Sequence, residues 1–192
     1  MLIAVPPPSV PEVVAQAAAI GAGAAVILTA RLGSGPEDPG PVAHGIARAH
    51  GLRLLGPDSA GLAVPGARLN ASLFAQATMA AATVLSLGNV LDIGVADCLD
   101  HFAADFRTRA ILLCLDRVAD ARRFMSAARA AARAKPVVVL RAGRHRPDTR
   151  AAVTHTGALA RPDAVYGAAF DHPTLEAFPE GDYLKFAMCR LD

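Results

Sequence analysis

One histidine lies in a run of small residues where chemistry is plausible. His155 belongs to the stretch 153–159, which follows a strand-like run, 135–140, and a basic linker, 141–150. A helix-like run, 162–170, comes next. Loops between the carboxyl end of a strand and the start of a helix are where open parallel sheets bind ligands, and free N–H groups at helix starts favour phosphate. A histidine there can serve as a base or as a nucleophile that carries phosphate, whereas a loop histidine bonded to backbone is the plain alternative.

The amino-acid composition argues against several classes of protein. Hydrophobic residues make up 53% of the 192 residues, which allows a large core in one domain or two small ones. The net charge of +2 and the absence of tryptophan argue against a nucleic-acid surface, which needs clustered cations and stacking rings. The excess of arginine over lysine is interpreted as a general feature of the composition and not as a basic surface patch. No run approaches the ~18 apolar residues of a membrane helix, and Pro6 ends the first apolar run too early for a signal peptide, so a cytoplasmic protein is predicted.

The three cysteines do not indicate a metal centre. Cys98, Cys114 and Cys189 are far apart, and no CxxC pair or Cys/His cluster is present in the sequence. Neither zinc nor a disulfide framework is therefore expected, and a reducing compartment fits. Cys114 lies in the apolar run 111–115 and is predicted to be a core residue.

Strands and helices are predicted to alternate along most of the chain. Continuous apolar strands separated by helices indicate a parallel sheet with right-handed crossovers, covered on both faces. The sequence therefore predicts an α/β fold with three layers. Ser9 to Glu12 reads as a capping box, and Asp120 as the N-cap of a later helix. The predicted strands are 1–5, 24–28, 52–55, 83–87, 109–115 and 137–140, and the predicted helices are 9–21, 42–50, 92–106 and 120–134.

The histidine stretch resembles a known family. It reads "KPVVVLRAGRH…VTHTGALARPDAVYGAAF" and is similar to the NDP-forming acyl-CoA synthetases, the superfamily of succinyl-CoA synthetase and ADP-forming acetyl-CoA synthetase. The family's histidine in this motif is phosphorylated during catalysis, so the resemblance implies that role for His155. It also implies that backbone N–H groups near Thr156 and Gly157 hold phosphate oxygens.

The resemblance implies a partner for the histidine. The family has a glutamate that steadies its active-site histidine, and the matching position here is Asp116, after the predicted strand 109–115. A carboxylate there would orient the imidazole and raise its basicity. Aspartate is one methylene shorter, and Arg117 replaces the family's glycine beside it. An exposed salt bridge between loop charges is the alternative for Asp116.

The first half resembles the family's CoA-binding domain. The segments "LIAVPPPSVPEVV", "AAVILTARLG" and "GLRLLGPDSAGL" stand where the family has "VIAVP…VPEVV", "AAVVISAGF" and "GIRLLGPNCLGL". By position, the resemblance implies contacts with coenzyme A, and each such residue could instead be an ordinary turn or cap residue. The implied CoA-binding residues are Val5, Pro6, Thr29, Ala30, Asp58 and Asn70.

The chain also departs from the family. The family's opening strand and its Gly-rich turn are not found, and the stretch between Asn70 and Val84 lacks a further strand and a serine/glycine turn that forms half of the phosphate site. Asp58 and Ser59 replace an Asn–Cys pair. A carboxylate close to CoA phosphates would be repulsive unless it faces away.

These observations predict a partial Rossmann-like CoA-binding domain at 1–75, a partial flavodoxin-like ligase domain at 76–170 and an unassigned tail at 171–192. The resemblance implies a component of an NDP-forming acid–CoA ligase, with coenzyme A and a carboxylic acid or acyl-CoA as substrates. ATP or ADP with Mg²⁺ would bind to an ATP-grasp domain or subunit. A catalytically silent CoA-binding or regulatory module, or an inactive fragment of such an enzyme, stays open as the alternative. No metal site, nucleic acid or membrane is predicted.

Overall fold

Two compact units make up the chain. The computed structural model describes residues 1–32, 38–73, 82–115, 118 and 120–139, together with the backbone of 140–141 and 175–178. The first unit is Met1–Gly94 and the second is Val95–Asp192. The predicted domain boundary after residue 75 stays a prediction.

The first unit contains a parallel sheet with two crossover helices. Its strands are β1 (Leu2–Ile3), β2 (Ala24–Ile27) and β3 (Arg53–Leu55), and they lie in the order β1-β2-β3. The helix α1 (Val10–Ala19) connects β1 to β2, and α2 (Gly40–Ala49) connects β2 to β3. Both β1–β2 and β2–β3 pairings are parallel, which confirms the predicted α/β pattern.

One apolar cluster joins this sheet to both helices. Paired residues on neighbouring strands share a face of a sheet, so Ile3 with Ile27, and Ala25 with Leu54, present one apolar surface. The helices contribute small and β-branched residues, which let them pack closely. The cluster consists of Ile3, Val10, Val14, Ala17, Ala25, Ile27, Leu32, Ala43, Ala47, Leu52 and Leu54.

The ends of these helices test two local predictions. The capping box at Ser9 is wrong, because the side chain of Ser9 makes no capping hydrogen bond and its backbone is already helical, with φ −86° and ψ −9°. A 3₁₀ turn at Pro7–Ser9 leads directly into α1, so the residue lacks the extended backbone of an N-cap. Gly51, with φ +70°, follows the end of α2 as predicted.

A second, antiparallel sheet follows β3, and of its three strands the sequence predicted only the one within 83–87. Its strands are β4 (Gly61–Val64), β5 (Leu69–Ser72) and β6 (Val84–Leu85), in the order β5-β4-β6. The strands are short, and a Pro65–Ala67 3₁₀ turn followed by a left-handed Arg68 (φ +52°) separates β4 from β5. The sequence analysis did not predict this hairpin, because its apolar runs are short and lie beside proline and glycine.

The free edge of β3 is lined by the residues that come after β6. The N–H groups of Leu91 and Ile93 donate to the carbonyl oxygens of Gly56 and Leu54, at 3.2 and 3.1 Å. The carboxylate of Asp92 meanwhile accepts two hydrogen bonds from the Arg53 guanidinium, at 2.8 and 3.0 Å, and one from the N–H of Leu54 at 2.9 Å. Because this segment is bonded to β3 through its backbone, the helix predicted from residue 92 begins only at Val95.

The second unit repeats the parallel pattern. Its elements are α3 (Val95–Ala104), β7 (Ile111–Leu115), α4 (Ala121–Ala134), β8 (Val137–Arg141) and β9 (Leu175–Phe178). The sheet order is β7-β8-β9, with both pairings parallel. The side chain of Asp120 accepts a hydrogen bond from the N–H of Arg123 at 2.9 Å, which confirms the predicted N-cap of α4.

Strand β9 lies within the tail of the chain. The sequence left residues 171–192 unassigned, and Pro173 and Pro179 within them cannot donate to a strand ladder. The four paired residues, 175–178, lie between these two prolines, so neither proline is needed as a donor.

The helices of the second unit cover one face of its sheet. Ile111 and Leu115 on β7 face α3 and α4, whereas Leu112 is 60% exposed and Cys114 is also exposed. The prediction that Cys114 is a core residue is therefore wrong, because strand alternation places it opposite the helical layer. The buried cluster is Ala96, Leu99, Ile111, Leu115, Val118, Phe124, Ala127, Ala128, Ala131, Val137 and Val139.

Candidate ligand-binding edge

Hydrogen bonds connect three loops at the carboxyl edge of the first sheet. The hydroxyl of Thr29 donates to the carbonyl oxygen of Val5 at 2.7 Å, so the loop after β2 is attached to the loop after β1. The N–H of Asp58 donates to the carbonyl oxygen of Thr29 at 3.0 Å, which attaches the loop after β3. Three predicted site residues are thus brought together, and Pro6 and Ala30, both exposed, adjoin them in the chain.

Two glycines allow the loop after β3 to approach its neighbours. Gly56 has φ +102°, and a side chain there would collide with the carbonyl oxygen of Ile27. Gly88 has φ +60°, and a side chain there would collide with the backbone of Pro57 and Asp58. Since the N–H of Asn89 also donates to the carbonyl oxygen of Pro57 at 2.7 Å, Asp58 is held from two sides in its left-handed conformation (φ +58°).

Ser59, next to Asp58, connects two segments through hydrogen bonds of its hydroxyl, a role that the sequence analysis did not predict. It is 3% exposed, and its hydroxyl donates to the carbonyl oxygen of Ser86 at 2.5 Å while accepting from the N–H of Gly61 at 2.9 Å. The hydroxyl of Ser86 accepts from the N–H of Ala60 at 2.9 Å. This exchange fastens the loop after β3 to the segment that follows β6.

Asn70 lies in a different setting from the other predicted CoA-binding residues. It is on β5 of the antiparallel sheet, opposite Ala63. Its side-chain oxygen accepts from the N–H of Ser72 at 3.1 Å and from the hydroxyl of Ser72 at 2.6 Å. These local hydrogen bonds engage the amide oxygen, and no hydrogen bond among the described residues joins Asn70 to the three connected loops.

The residues predicted for phosphoryl transfer lie outside the described residues. These are His155, Thr156, Gly157 and Asp116. The strands that lead toward them are described, and β7 and β8 are parallel neighbours with Leu115 opposite Arg141. The carboxyl ends of both strands therefore meet at one edge of the parallel sheet of the second unit.

Two other chemistry-bearing groups in the described part of the chain, Cys98 and Lys135, have structural settings. Burial, reinforced by the charge of Asp97, raises the pKa of the Cys98 thiol to about 11, so this thiol is a poor nucleophile at neutral pH. The ammonium of Lys135 donates to the carbonyl oxygen of Phe102 at 2.7 Å and to that of Asp105, which caps the end of α3.

Neither a metal-binding cluster nor a membrane-spanning helix occurs among the described residues. The residues that the structure describes contain no group of three or more His, Cys, Asp or Glu that could hold a metal ion. Within the same residues, no helix combines the length and hydropathy needed to cross a bilayer.

A family comparison agrees with the parallel α/β architecture. The model of the succinyl-CoA ligase like flavodoxin domain matches residues 66–175, which is more than half of the chain. The chain belongs to this family. Its members' fold accounts for the strand–helix–strand succession of the second unit.

Individual relatives extend the likeness to both units. The chain is 33% identical to the protein named acetate–CoA ligase [ADP-forming] I subunit alpha of Pyrococcus furiosus, over 97% of this chain and 47% of that protein. It is 29% identical to the corresponding II subunit alpha of the same organism, over 88% of this chain and 43% of the relative. The chain thus spans about half the length of the curated relatives it matches.

A solved structure resembles the whole chain. It is the dinucleotide forming acetyl-coenzyme A synthetase 1 of Ca. Korarchaeum cryptofilum in complex with phosphate and ADP, with a TM-score of 0.81 and 27% identity. The superposition covers 97% of this chain and 47% of that one. The likeness confirms the predicted fold class, a parallel α/β protein with Rossmann-like and flavodoxin-like units.

Proposed function

We propose that this chain is the CoA-binding and phosphoryl-transfer part of an NDP-forming acid–CoA ligase. The overall reaction converts acid, CoA and ATP to acyl-CoA, ADP and phosphate. The observation that carries the proposal is the alignment of 97% of the chain with a relative named as an ADP-forming acetate–CoA ligase subunit. The resemblance of the histidine motif supports the same chemistry.

In the acyl-CoA-consuming direction, this chain would carry two steps. Phosphate attacks the thioester carbonyl, the carbon–sulfur bond breaks, and acyl phosphate and free CoA form. His155 then attacks the phosphorus of acyl phosphate, so that the carboxylate leaves and phosphohistidine remains. Asp116 would orient the imidazole, and N–H groups of Thr156 and Gly157 would hold phosphate oxygens. Phosphohistidine finally passes its phosphoryl group to ADP, bound with Mg²⁺ on an ATP-grasp partner, in a cytoplasmic enzyme.

The first unit would supply the CoA site. Val5, Thr29 and Asp58 are connected by hydrogen bonds at the carboxyl edge of β1, β2 and β3, where ligands of open parallel sheets bind. Pro6 and Ala30 present exposed surface beside them. Asn70 is retained in the proposal with a weaker basis, since its amide oxygen is already bonded to Ser72.

An internal gap favours a second candidate function, a CoA-binding regulatory module without catalysis. The alignment with the first Pyrococcus relative is 216 positions long, whereas the whole chain has 192 residues, so that relative has at least 24 residues without a counterpart inside the aligned region. The motif expected between Asn70 and Val84, a serine/glycine phosphate turn, is missing from the sequence. Loss of that turn would weaken phosphate binding and leave the CoA-binding edge intact.

A labelling experiment separates the two candidates. The folded chain is incubated with acetyl-CoA and radiolabelled phosphate, and label is sought that is labile in acid and stable in base. We expect label in the wild type and none in His155→Ala, with CoA affinity nearly unchanged. His50→Ala is the matched control, because His50 is an exposed helix-end histidine whose ring bonds to the carbonyl oxygen of Ile46.

Each outcome has a defined meaning. Label that persists in His155→Ala would refute the assignment of the phosphorylated residue. Absence of label in a wild-type chain that binds CoA would favour the regulatory module. Absence of both label and CoA binding would leave an inactive fragment as the best description.

A further inference from the structure

We propose that Arg31 is a further binding residue at the candidate edge and holds phosphate groups of coenzyme A. The proposal deepens the proposed function and rests on it. Arg31 was not among the residues that the family resemblance implied. Its backbone conformation in the structure is what identifies it.

The backbone of Arg31 is exceptional. Its φ is +63°, in the left-handed region that residues with a side chain rarely adopt. Among the described residues other than glycine, the other two with positive φ are Asp58 and Arg68. Two of the three, Arg31 and Asp58, therefore belong to loops at the same sheet edge. Such conformations persist where the surroundings impose them, and they concentrate at ligand-binding sites.

The neighbours of Arg31 impose this conformation. Two residues before it, Thr29 is bonded to Val5 through its hydroxyl and to Asp58 through its carbonyl oxygen. One residue after it, Leu32 is completely buried in the core of the first unit. The chain must turn between these two anchors, and the turn leaves the Arg31 side chain exposed. Arg31 therefore belongs to the connected loop after β2 and carries its charge on an exposed side chain.

The charge of Arg31 is available to a ligand. No described carboxylate forms an ion pair with it, whereas Arg53 and Arg123 each bind an aspartate. Coenzyme A carries phosphate groups, and guanidinium is the side chain that best matches phosphate geometry. At this edge, Asp58 contributes a negative charge that would repel those groups. A cation in the adjoining loop offsets that repulsion.

The residue type at position 31 is unexpected for its backbone. Glycine is the expected residue at φ +63°, because it adopts that conformation without steric cost. The arginine therefore accepts backbone strain and adds a positive charge to the loop that is bonded to Asp58.

The test compares two glycine substitutions. Arg31→Gly and Arg68→Gly each remove one exposed, left-handed arginine (φ +63° and +52°), so they relieve similar strain and remove the same charge. Arg68 lies beside β5 of the antiparallel sheet, outside the connected loops. Isothermal calorimetry measures binding of CoA, and of pantetheine, which has the thiol arm without the phosphates. Thermal unfolding of both variants confirms that they fold.

We expect Arg31→Gly to weaken CoA binding by about tenfold, and Arg31→Lys to restore part of the loss, while pantetheine binding stays unchanged. Arg68→Gly should bind CoA as the wild type does. Wild-type CoA affinity in Arg31→Gly, or an equal loss for CoA and pantetheine, would overturn the role of Arg31 alone. A wild-type chain that does not bind CoA would overturn the proposed CoA site and, with it, the role of Arg31.

Discussion

Asp92 and Asp97 lie five residues apart in the sequence, and each binds an arginine, but they stabilise different units in different ways. Asp92, in the first unit, accepts from both nitrogens of the Arg53 fork and from the backbone N–H of Leu54. Asp97, in the second unit, accepts from the Arg123 guanidinium of α4 at 2.6 Å and so connects two helices. The Asp92 carboxylate binds to the edge strand β3, whereas the Asp97 carboxylate connects α3 with α4.

We expect the backbone hydrogen bond from Leu54 to make Asp92 more important for stability than the ion pair of Arg123. Burial raises the pKa of Asp92, but hydrogen bonds from Arg53 and Leu54, together with the charges of Arg53 and His44, outweigh burial and leave this pKa below its ordinary value. The Arg123 side chain is 58% exposed, and solvent screens such a pair. Stability should therefore depend on Asp92 more than on the Arg123 pair.

The largest predicted effects come from the two separate cores. Leu54→Ala should destabilise the first unit and Leu99→Ala the second, each by about 2–5 kcal/mol, because both leucines are completely buried and truncation leaves a cavity. Hydrogen exchange followed by mass spectrometry would locate the loss. Faster exchange confined to the altered unit is expected, whereas equal loss in both units would mean that the chain unfolds as a single cooperative body.

An intermediate effect is predicted for Asp92→Asn. It should lower the free energy of unfolding by about 1–2 kcal/mol at pH 7, because the charged hydrogen bonds to Arg53 are lost while half of that arginine stays exposed. Denaturant unfolding measures the change.

The pH dependence gives this prediction a sharper form. A carboxyl whose pKa is lowered in the folded state contributes stability that is fully present above the unfolded pKa, near ~3.9, and is lost as pH falls through the folded pKa. The wild type should thus lose stability between about pH 5 and pH 3, and Asp92→Asn should lose less over that interval. Parallel pH curves for the two proteins would refute the role assigned to Asp92.

The smallest effect is predicted for Arg123→Gln. Removal of the exposed ion pair with Asp97 should change the free energy of unfolding by less than about 1 kcal/mol, and raised salt should erase the difference from wild type. A loss as large as that of Asp92→Asn would break the comparison, since it would make the helix-to-helix contact as important as the sheet edge. Thermal unfolding at low and high ionic strength measures both effects.

The sequence predicted the elements whose patterns are strongest. Apolar runs such as 111–115 gave the parallel strands, and Asp120 was identified as an N-cap because the orphan N–H groups of a helix start need a nearby acceptor. The hairpin at 61–72 was missed, because short strands beside proline and glycine have no clear period. The serine exchange between Ser59 and Ser86 has no sequence signal, since the two residues are far apart in the chain.

For the candidate site, the sequence supplied the loops but not their connections. Val5, Thr29 and Asp58 were named through resemblance, and their hydrogen bonds to one another emerged only in the structure. Asn70 was named by the same reasoning, yet it lies on β5 with its amide oxygen bonded to Ser72. Position in a motif therefore did not distinguish a residue at the sheet edge from one engaged locally.

The sequence by itself determined the alternation of strands and helices and the family, because periodicity and local motifs depend on residues that are close together in the chain. Only the tertiary structure decided which loops meet, that Cys114 is exposed, and that Arg31 adopts a left-handed backbone between a bonded Thr29 and a buried Leu32. Those features depend on contacts between residues distant in the chain, which form when burial of the core forces the strands together.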